Sequence, residues 1–479
     1  MPLIKKLLFL SAFLITVLIS CTVSHPTPAK ISSSACFDLD SIRKRGKLIA
    51  VTDFNSTNYF IYKGEPMGFT YELLKSFSDH VGIDLEIVTE NRLENVLKMI
   101  KSGEADLLAI GLTVNSSRKK DIQFTEPLDE TRQVLVQRKP PNWRSKTIDE
   151  TDKLLIRNQM GLAKKTVYVQ KGSSHGERLA TLAGEIGDTI NIIEVPFDSE
   201  KLIRNVANGE IEYTVCDENI ALVNATYYPD IDVSTPVSFL QSLAWGVRKN
   251  NSNALLSELN RWITTYKKTD SYALLHAKYF NNTWSSIIIK SDYYALNTGK
   301  VSQYDDMIRE FSVSIKWDWR LLASLICQES HFNPNVESGS GAYGLMQLMP
   351  ETGKNFDIDF TASPKNNMRA GIRYINWLHS IFDSKITDDK ERIRFILASY
   401  NAGPGHVIDA MKLAEKNGMN PQKWNNVAIW LLKKSQPKYY NDIVVKNGYF
   451  CGTESVAFVS QILDRYEHYK NILPEEKLK

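Results

Sequence analysis

One carboxylic acid in this chain is placed where it could hold its proton at neutral pH. In the stretch WDWRLLASLICQES, residues 317–330, Leu322, Leu325 and Ile326 share one face of a helix, and Glu329 falls on the same apolar stripe. A carboxyl on such a stripe loses hydration, which raises its pKa and keeps available the proton that a general acid must donate. By itself, a Glu at a helix end is more often turned toward water. Its surroundings in the sequence must decide.

Ser330 follows Glu329 directly, and Asn333-Pro334 stops the helix. Next comes Gly339-Ser340-Gly341-Ala342-Tyr343-Gly344, which fits the pattern G-x-G-x-x-G, and then Leu345-Met346-Gln347. A dinucleotide fingerprint must follow a strand and open a helix within a βαβ unit. Here the glycines follow a helix, inside a region of helical spacing, so the match is accidental. Farther on, Ala398-Ser399-Tyr400-Asn401-Ala402-Gly403 closes another apolar helix.

Two textures position these residues. From Lys47, strand-length apolar runs (LIAVT, LEIV, LLAIGL, VLVQ, NIIEV, YTVC) alternate with helical segments such as TYELLKSFSDHVG, the signature of α/β units. After about residue 284 the strand signals fade. Segments 302–312, 317–331, 366–383, 389–400 and 453–470 have apolar residues three and four apart, predicting an all-α domain. The 479 residues thus divide into 1–20, 21–45, 46–282 and 283–479. A net charge of +3 without a long Lys/Arg run does not indicate a nucleic-acid partner.

The first twenty residues have the charged and apolar regions of a secretory signal: Lys5 and Lys6, then Leu7 to Ser20. The run ends in Leu18-Ile19-Ser20-Cys21, which resembles the lipobox of bacterial lipoproteins. That resemblance implies cleavage before Cys21, lipidation of its sulfur and a periplasmic protein anchored to a membrane, with the outer membrane favoured. Residues 22–40, rich in Ser, Thr and Pro, read as a spacer. The remaining cysteines, Cys36, Cys216, Cys327 and Cys451, show no C-x-x-C or nearby His pair, and a Cys327–Cys451 disulfide is open to an exported chain.

Residues 46–280 resemble the periplasmic solute-binding proteins of amino-acid transporters. The resemblance is carried by Gly68-Phe69 entering a helix, the Gly103-Glu104-Ala105-Asp106 turn, the Arg118 segment and Phe124-Thr125-Glu126-Pro127. It implies a two-lobed α/β fold in which Arg118 grips a ligand's α-carboxylate, as a guanidinium can with two parallel hydrogen bonds. Asp217 would pair with the α-amino group. Asn115 and Ser116-Ser117 depart from the family's usual Thr and Pro-Glu, which leaves the ligand open between an amino acid and a wall-derived peptide. The plain readings are a solvated Arg beside Lys119 and Lys120, and an Asp that caps a helix.

The order E-S, G-L-M-Q, Y-N-A-G resembles the catalytic domain of the Slt-type lytic transglycosylases, over about residues 300–470. It implies a lysozyme-like α fold acting on peptidoglycan glycan strands. Glu329 would be the only acid/base, with the C6 hydroxyl of N-acetylmuramic acid as nucleophile, giving 1,6-anhydro ends and needing no second carboxylate. Ser330, Gln347, Tyr400 and Asn401 would line the glycan cleft, Ser330 orienting the carboxylate or the glycan. The glycines would let the loop pass close to the sugar chain. Glu337 and Glu351, the nearest other acids in sequence, fall outside the matched motifs. Trp317, Trp319 and Trp377, at helical spacing, read as core. No metal or organic cofactor is implied. Two alternatives remain, a hydrolytic muramidase of the same fold and a wall-binding sensor that does not cut.

Overall fold

A computed structural model describes residues 38–280, 284–356 and 358–473. Cys21, the expected lipidation residue, the spacer up to residue 37 and Cys36 lie outside the described residues.

The α/β part has two lobes, each built on its own sheet. In the first, strands run in the order Asp84–Thr89, Lys47–Thr52, Leu107–Thr113, Gln241–Arg248, Ile122–Phe124, with Asp129–Thr131 also pairing the Gln241–Arg248 strand. The first two are parallel, in register from Lys47 opposite Asp84 to Thr52 opposite Thr89. The crossover helix Phe69–Val81 joins them and buries Phe69, Leu73, Leu74 and Phe77 on the face that covers the sheet. Gly82, at φ 67°, ends that helix in the left-handed conformation that glycine adopts without steric cost. The second lobe orders its strands Asn191–Val195, Thr166–Gln170, Tyr213–Asp217, Gln133–Arg138, Ile231–Pro236.

The chain passes between lobes twice, near 131–133 and again near 236–241. All six predicted strands form. The Gln241–Arg248 strand carried no strand signal, since its Ser, Ala and Gly have little β preference. Burial between two neighbours holds it, with Trp245 only 1% exposed.

The helical part is built around Trp319–Ser330. The apolar stripe foreseen on this helix is too narrow a description, because Leu321 through Cys327 are buried on every side. It is the central helix of its domain, packed against Asp305–Ser314 and Thr453–Ile472. Each buried Leu or Ile contributes about 1.5–3 kcal/mol, so the helix end that carries Glu329 is firmly placed. The other predicted helices form as Pro364–Phe382 and Asp389–Ala402, while Pro404–Lys416 and Trp424–Lys433 carried no prediction.

The two parts share their cores. Ile61 of the first lobe packs among the helical domain's buried residues, and Ile288, Ile289 and Tyr294 pack with the first lobe. Cys327 and Cys451 do not pair: Cys327 is buried and Cys451 is exposed, and both are free thiols. Trp317 and Trp319 are core, but Trp377 is 44% exposed.

Candidate active site and ligand cleft

Asp318 starts the central helix by accepting from the Arg320 N–H at 2.9 Å, and His331 ends it in a left-handed conformation. Glu329, in the last turn, is half-buried. Burial pushes its carboxyl up to about 8, and the negative charge of Glu454 adds to the effect. Near neutral pH this side chain therefore carries its proton. Glu454 belongs to the first turn of Thr453–Ile472. It is far from Glu329 in sequence and lies outside the three motifs, so nothing in the sequence pointed to it.

Three of the four motif residues expected to line the sugar cleft also hold the loop. The Ser330 hydroxyl lies 2.8 Å from the carbonyl of Leu345 and 3.1 Å from that of Ile326, and it is buried. It ties the loop to the helix. The Tyr400 hydroxyl donates to the Met346 carbonyl at 2.7 Å. Burial and the Glu329 charge both push that phenol well above its ordinary range, which puts Tyr400 within electrostatic reach of Glu329. The Gln347 amide donates back to the carbonyls of Val336 and Gly344, at 3.0 and 2.9 Å. Asn401 is exposed, and its side-chain oxygen accepts from the Ser455 hydroxyl, tying it to the helix of Glu454.

Asn367 completes the clamp, and the motifs had not singled it out. Its oxygen accepts from the Met346 N–H at 2.8 Å, and its amide donates to the Tyr343 carbonyl at 2.9 Å. Gly344 explains one of the glycines. Its φ is 81°, and a side chain there would strike the Asn367 amide, since a Cβ would lie 2.4 Å away. Beside Tyr400 the rings of Tyr374 and Trp377 continue outward, at 5.3 and 5.6 Å between centroids, and the last pair is stacked. The exposed Trp377 thus heads an aromatic row that reaches in to Tyr400.

In the α/β part, Arg118 and Asp217 line one cavity of about 120 Å³ between the lobes, together with His175, Asp53 and Glu200. Arg118 is half-buried; its backbone N–H is capped by Asn115 at 2.8 Å, and its guanidinium donates to the Thr113 carbonyl at 3.1 Å. Burial lowers its pKa, and the carboxylates of Asp217 and Glu177 oppose that. Asp217 sits at the N-cap of Glu218–Ala225, but its side chain accepts no capping bond. It faces His175 Nε2 at 3.4 Å, so the plain capping role does not account for it.

The lobes are latched across this cavity. Ser56 donates its N–H and hydroxyl to Glu200, Asn91 donates to Asp198 at 3.2 Å, and Lys171 pairs with Glu94 at 2.9 Å. Burial pushes Asp53 up to about 6 and raises Glu200.

Residues 48–282 match the description "Bacterial extracellular solute-binding proteins, family 3", and residues 306–423 match "Transglycosylase SLT domain". Over 431 residues the chain is 33% identical to membrane-bound lytic murein transglycosylase F of Desulfosudis oleivorans, covering 90% of this chain and 91% of that one. This chain belongs to that family. The enzyme of the same name from Pseudomonas fluorescens is 30% identical, over 90% of this chain and 86% of its own. Among solved structures, an amino acid ABC transporter substrate-binding protein from Streptococcus pneumoniae, bound to L-arginine, aligns with a TM-score of 0.43 at 22% identity, over 51% of this chain and 98% of that one.

The family is that of lytic murein transglycosylases with an N-terminal solute-binding domain, and the two lobes and the helical region of this chain are its two parts. Relatives carry "membrane-bound" in their names, and no described helix here is long and apolar enough to cross a membrane.

Proposed function

We propose that Glu329 is the acid/base of a single-carboxylate transglycosylation on peptidoglycan. It gives its proton to the oxygen of the β-1,4 bond between N-acetylmuramic acid and N-acetylglucosamine as that bond breaks. As carboxylate it then takes the proton of the muramoyl C6 hydroxyl, which closes on C1 to leave a 1,6-anhydro end. The observation that carries this reading is the Glu329 carboxyl, half-buried and pushed up to about 8, beside a loop clamped from three sides. The glycan lies along that loop, with the oxygen of the Gln347 amide and the Asn401 side chain turned to its acetamido groups and Trp377 stacking on a sugar face.

Comparing muropeptides from sacculi digested by wild type and by Glu329→Gln tests it. Anhydro ends from the wild type and none from the variant are the expected result. Reducing ends would point instead to hydrolysis, with Glu454 as the first candidate for a second carboxylate, and no products from either would leave a wall-binding sensor.

The α/β domain binds an amino acid or a wall-derived peptide, Arg118 taking the α-carboxylate and Asp217 the α-amino group. The ligand modulates the catalytic domain through their shared core. Lipidation at Cys21 anchors the protein to the outer membrane, and Cys21→Ala would release it into the soluble periplasmic fraction.

A further inference from the structure

Cys327 and His331 stand one helical turn apart at the end of the central helix, on either side of Glu329. Both face Glu65, which belongs to the hairpin of Phe60–Tyr62 and Glu65–Met67 in the binding domain. Glu65 Oε1 lies 3.4 Å from Cys327 Sγ and 3.2 Å from His331 Nδ1. One donor atom from each of the three residues falls within 4.8 Å of the others. Zinc bonds of about 2.0–2.3 Å at tetrahedral angles place neighbouring donors roughly 3.3–3.8 Å apart. The two separations from Glu65 are close to that spacing.

We propose that Glu65, Cys327 and His331 bind one zinc-class cation, which clasps the binding domain to the helix end that carries Glu329. A thiolate, an imidazole and a carboxylate suit zinc and not magnesium or calcium, which take oxygen donors. His331 is 71% exposed at its side chain, so the ion enters from that side and a water can hold the fourth position.

The backbone is shaped for this approach. His331 and Phe332 have φ of 46° and 61°, two successive non-glycine residues in the sparsely populated left-handed region. Gly64, at φ 82°, brings the hairpin tip so near the thiol that a Cβ there would lie 2.9 Å from Cys327 Sγ.

Charge is also provided for. Arg465 reaches the Glu65 oxygens at 3.3 and 3.5 Å and Gln328 Oε1 at 2.9 Å. With the ion on Oε1, Arg465 keeps Oε2 and Gln328 and offsets the new thiolate. Binding forms the metal–sulfur bond and releases the thiol proton to water, and His331 joins through its neutral ring nitrogen. Affinity therefore falls as pH falls.

The test uses the full chain with Cys36 and Cys451 replaced by Ser, titrated with cadmium as a zinc surrogate and read by the ultraviolet thiolate-to-cadmium charge-transfer band. One equivalent should bring up the band, and zinc should compete it away. Cys327→Ser should abolish it. Glu65→Gln and His331→Ala, on side chains that are not buried, should each weaken binding tenfold or more. No band at equimolar cadmium, or a band of unchanged affinity in both of those variants, overturns the site.

Discussion

The Tyr400 hydroxyl donates to the Met346 carbonyl at 2.7 Å, joining the Y-N-A-G helix end to the G-L-M-Q loop. With Ser330 on Leu345 and Asn367 on Met346 and Tyr343, the separated motifs are partners in one clamp around the glutamate. Tyr400→Phe keeps the ring and loses the tether. A neutral hydrogen bond contributes about 1 kcal/mol, so kcat/KM should drop roughly fivefold while the products stay anhydro-ended. Product analysis beside initial rates on sacculi checks both parts.

The alkaline limb of the rate should follow Glu329. The proton it donates is held below about 8, so activity falls as pH rises through that value. Glu454→Gln removes a negative charge that favours the protonated form, so it should move the limb to lower pH. It should leave the product class unchanged. A pH–rate profile of the two proteins shows the displacement.

Much of this was legible in the sequence because it is local. The predicted strands and the central helix are set by apolar periodicity, and Glu329 stood out by its place on that helix. What pairs across the chain was not legible. Glu454, Asn367 and the row from Tyr400 to Trp377 are brought in by the packing of helices distant in sequence. Ser330 and Tyr400 stood out as motif residues, and only geometry shows their hydroxyls engaged with backbone. Likewise nothing in the sequence joined Glu65 to Cys327 and His331, since Glu65 comes from the other domain.

Holding Glu329 raised has a consequence for stability. A carboxyl near 8 in the folded chain and near 4.5 in the unfolded one means that the native state binds the extra proton. Stability therefore declines as pH rises from about 4.5 to about 8 and is fully reduced above that. Glu329→Gln removes the charge. It should match wild type at pH 4.5 and exceed it at pH 8.5 by roughly 1–3 kcal/mol, read by denaturant melts at the two pH values.

Lys434 gives a purely structural prediction. Its ammonium is buried and donates to Asp409 at 2.7 Å and to His406 Nδ1 at 2.8 Å, while Asp409 also accepts the N–H groups of Lys446 and Asn447. Removing one partner strands a buried charge. Lys434→Ala should cost about 3–5 kcal/mol and loosen the 446–449 segment. Chemical denaturation measures the first, and amide exchange of that segment the second.

The cavity of the binding domain makes the last prediction. Arg118 and Asp217 form one electrostatic pair, and Asp53 from the first lobe with Asp198 and Glu200 from the second form another, acidic group lining the same cavity. An amino acid whose side chain carries a positive charge satisfies both groups, while an acidic one meets repulsion at the second. Calorimetry on the full chain should therefore rank arginine or lysine above leucine and glutamate last. Arg118→Lys loses the two-pronged grip on the carboxylate and should weaken every ligand tenfold or more. Asp53→Asn leaves that grip intact and should weaken only the cationic ligands, levelling the ranking rather than abolishing binding.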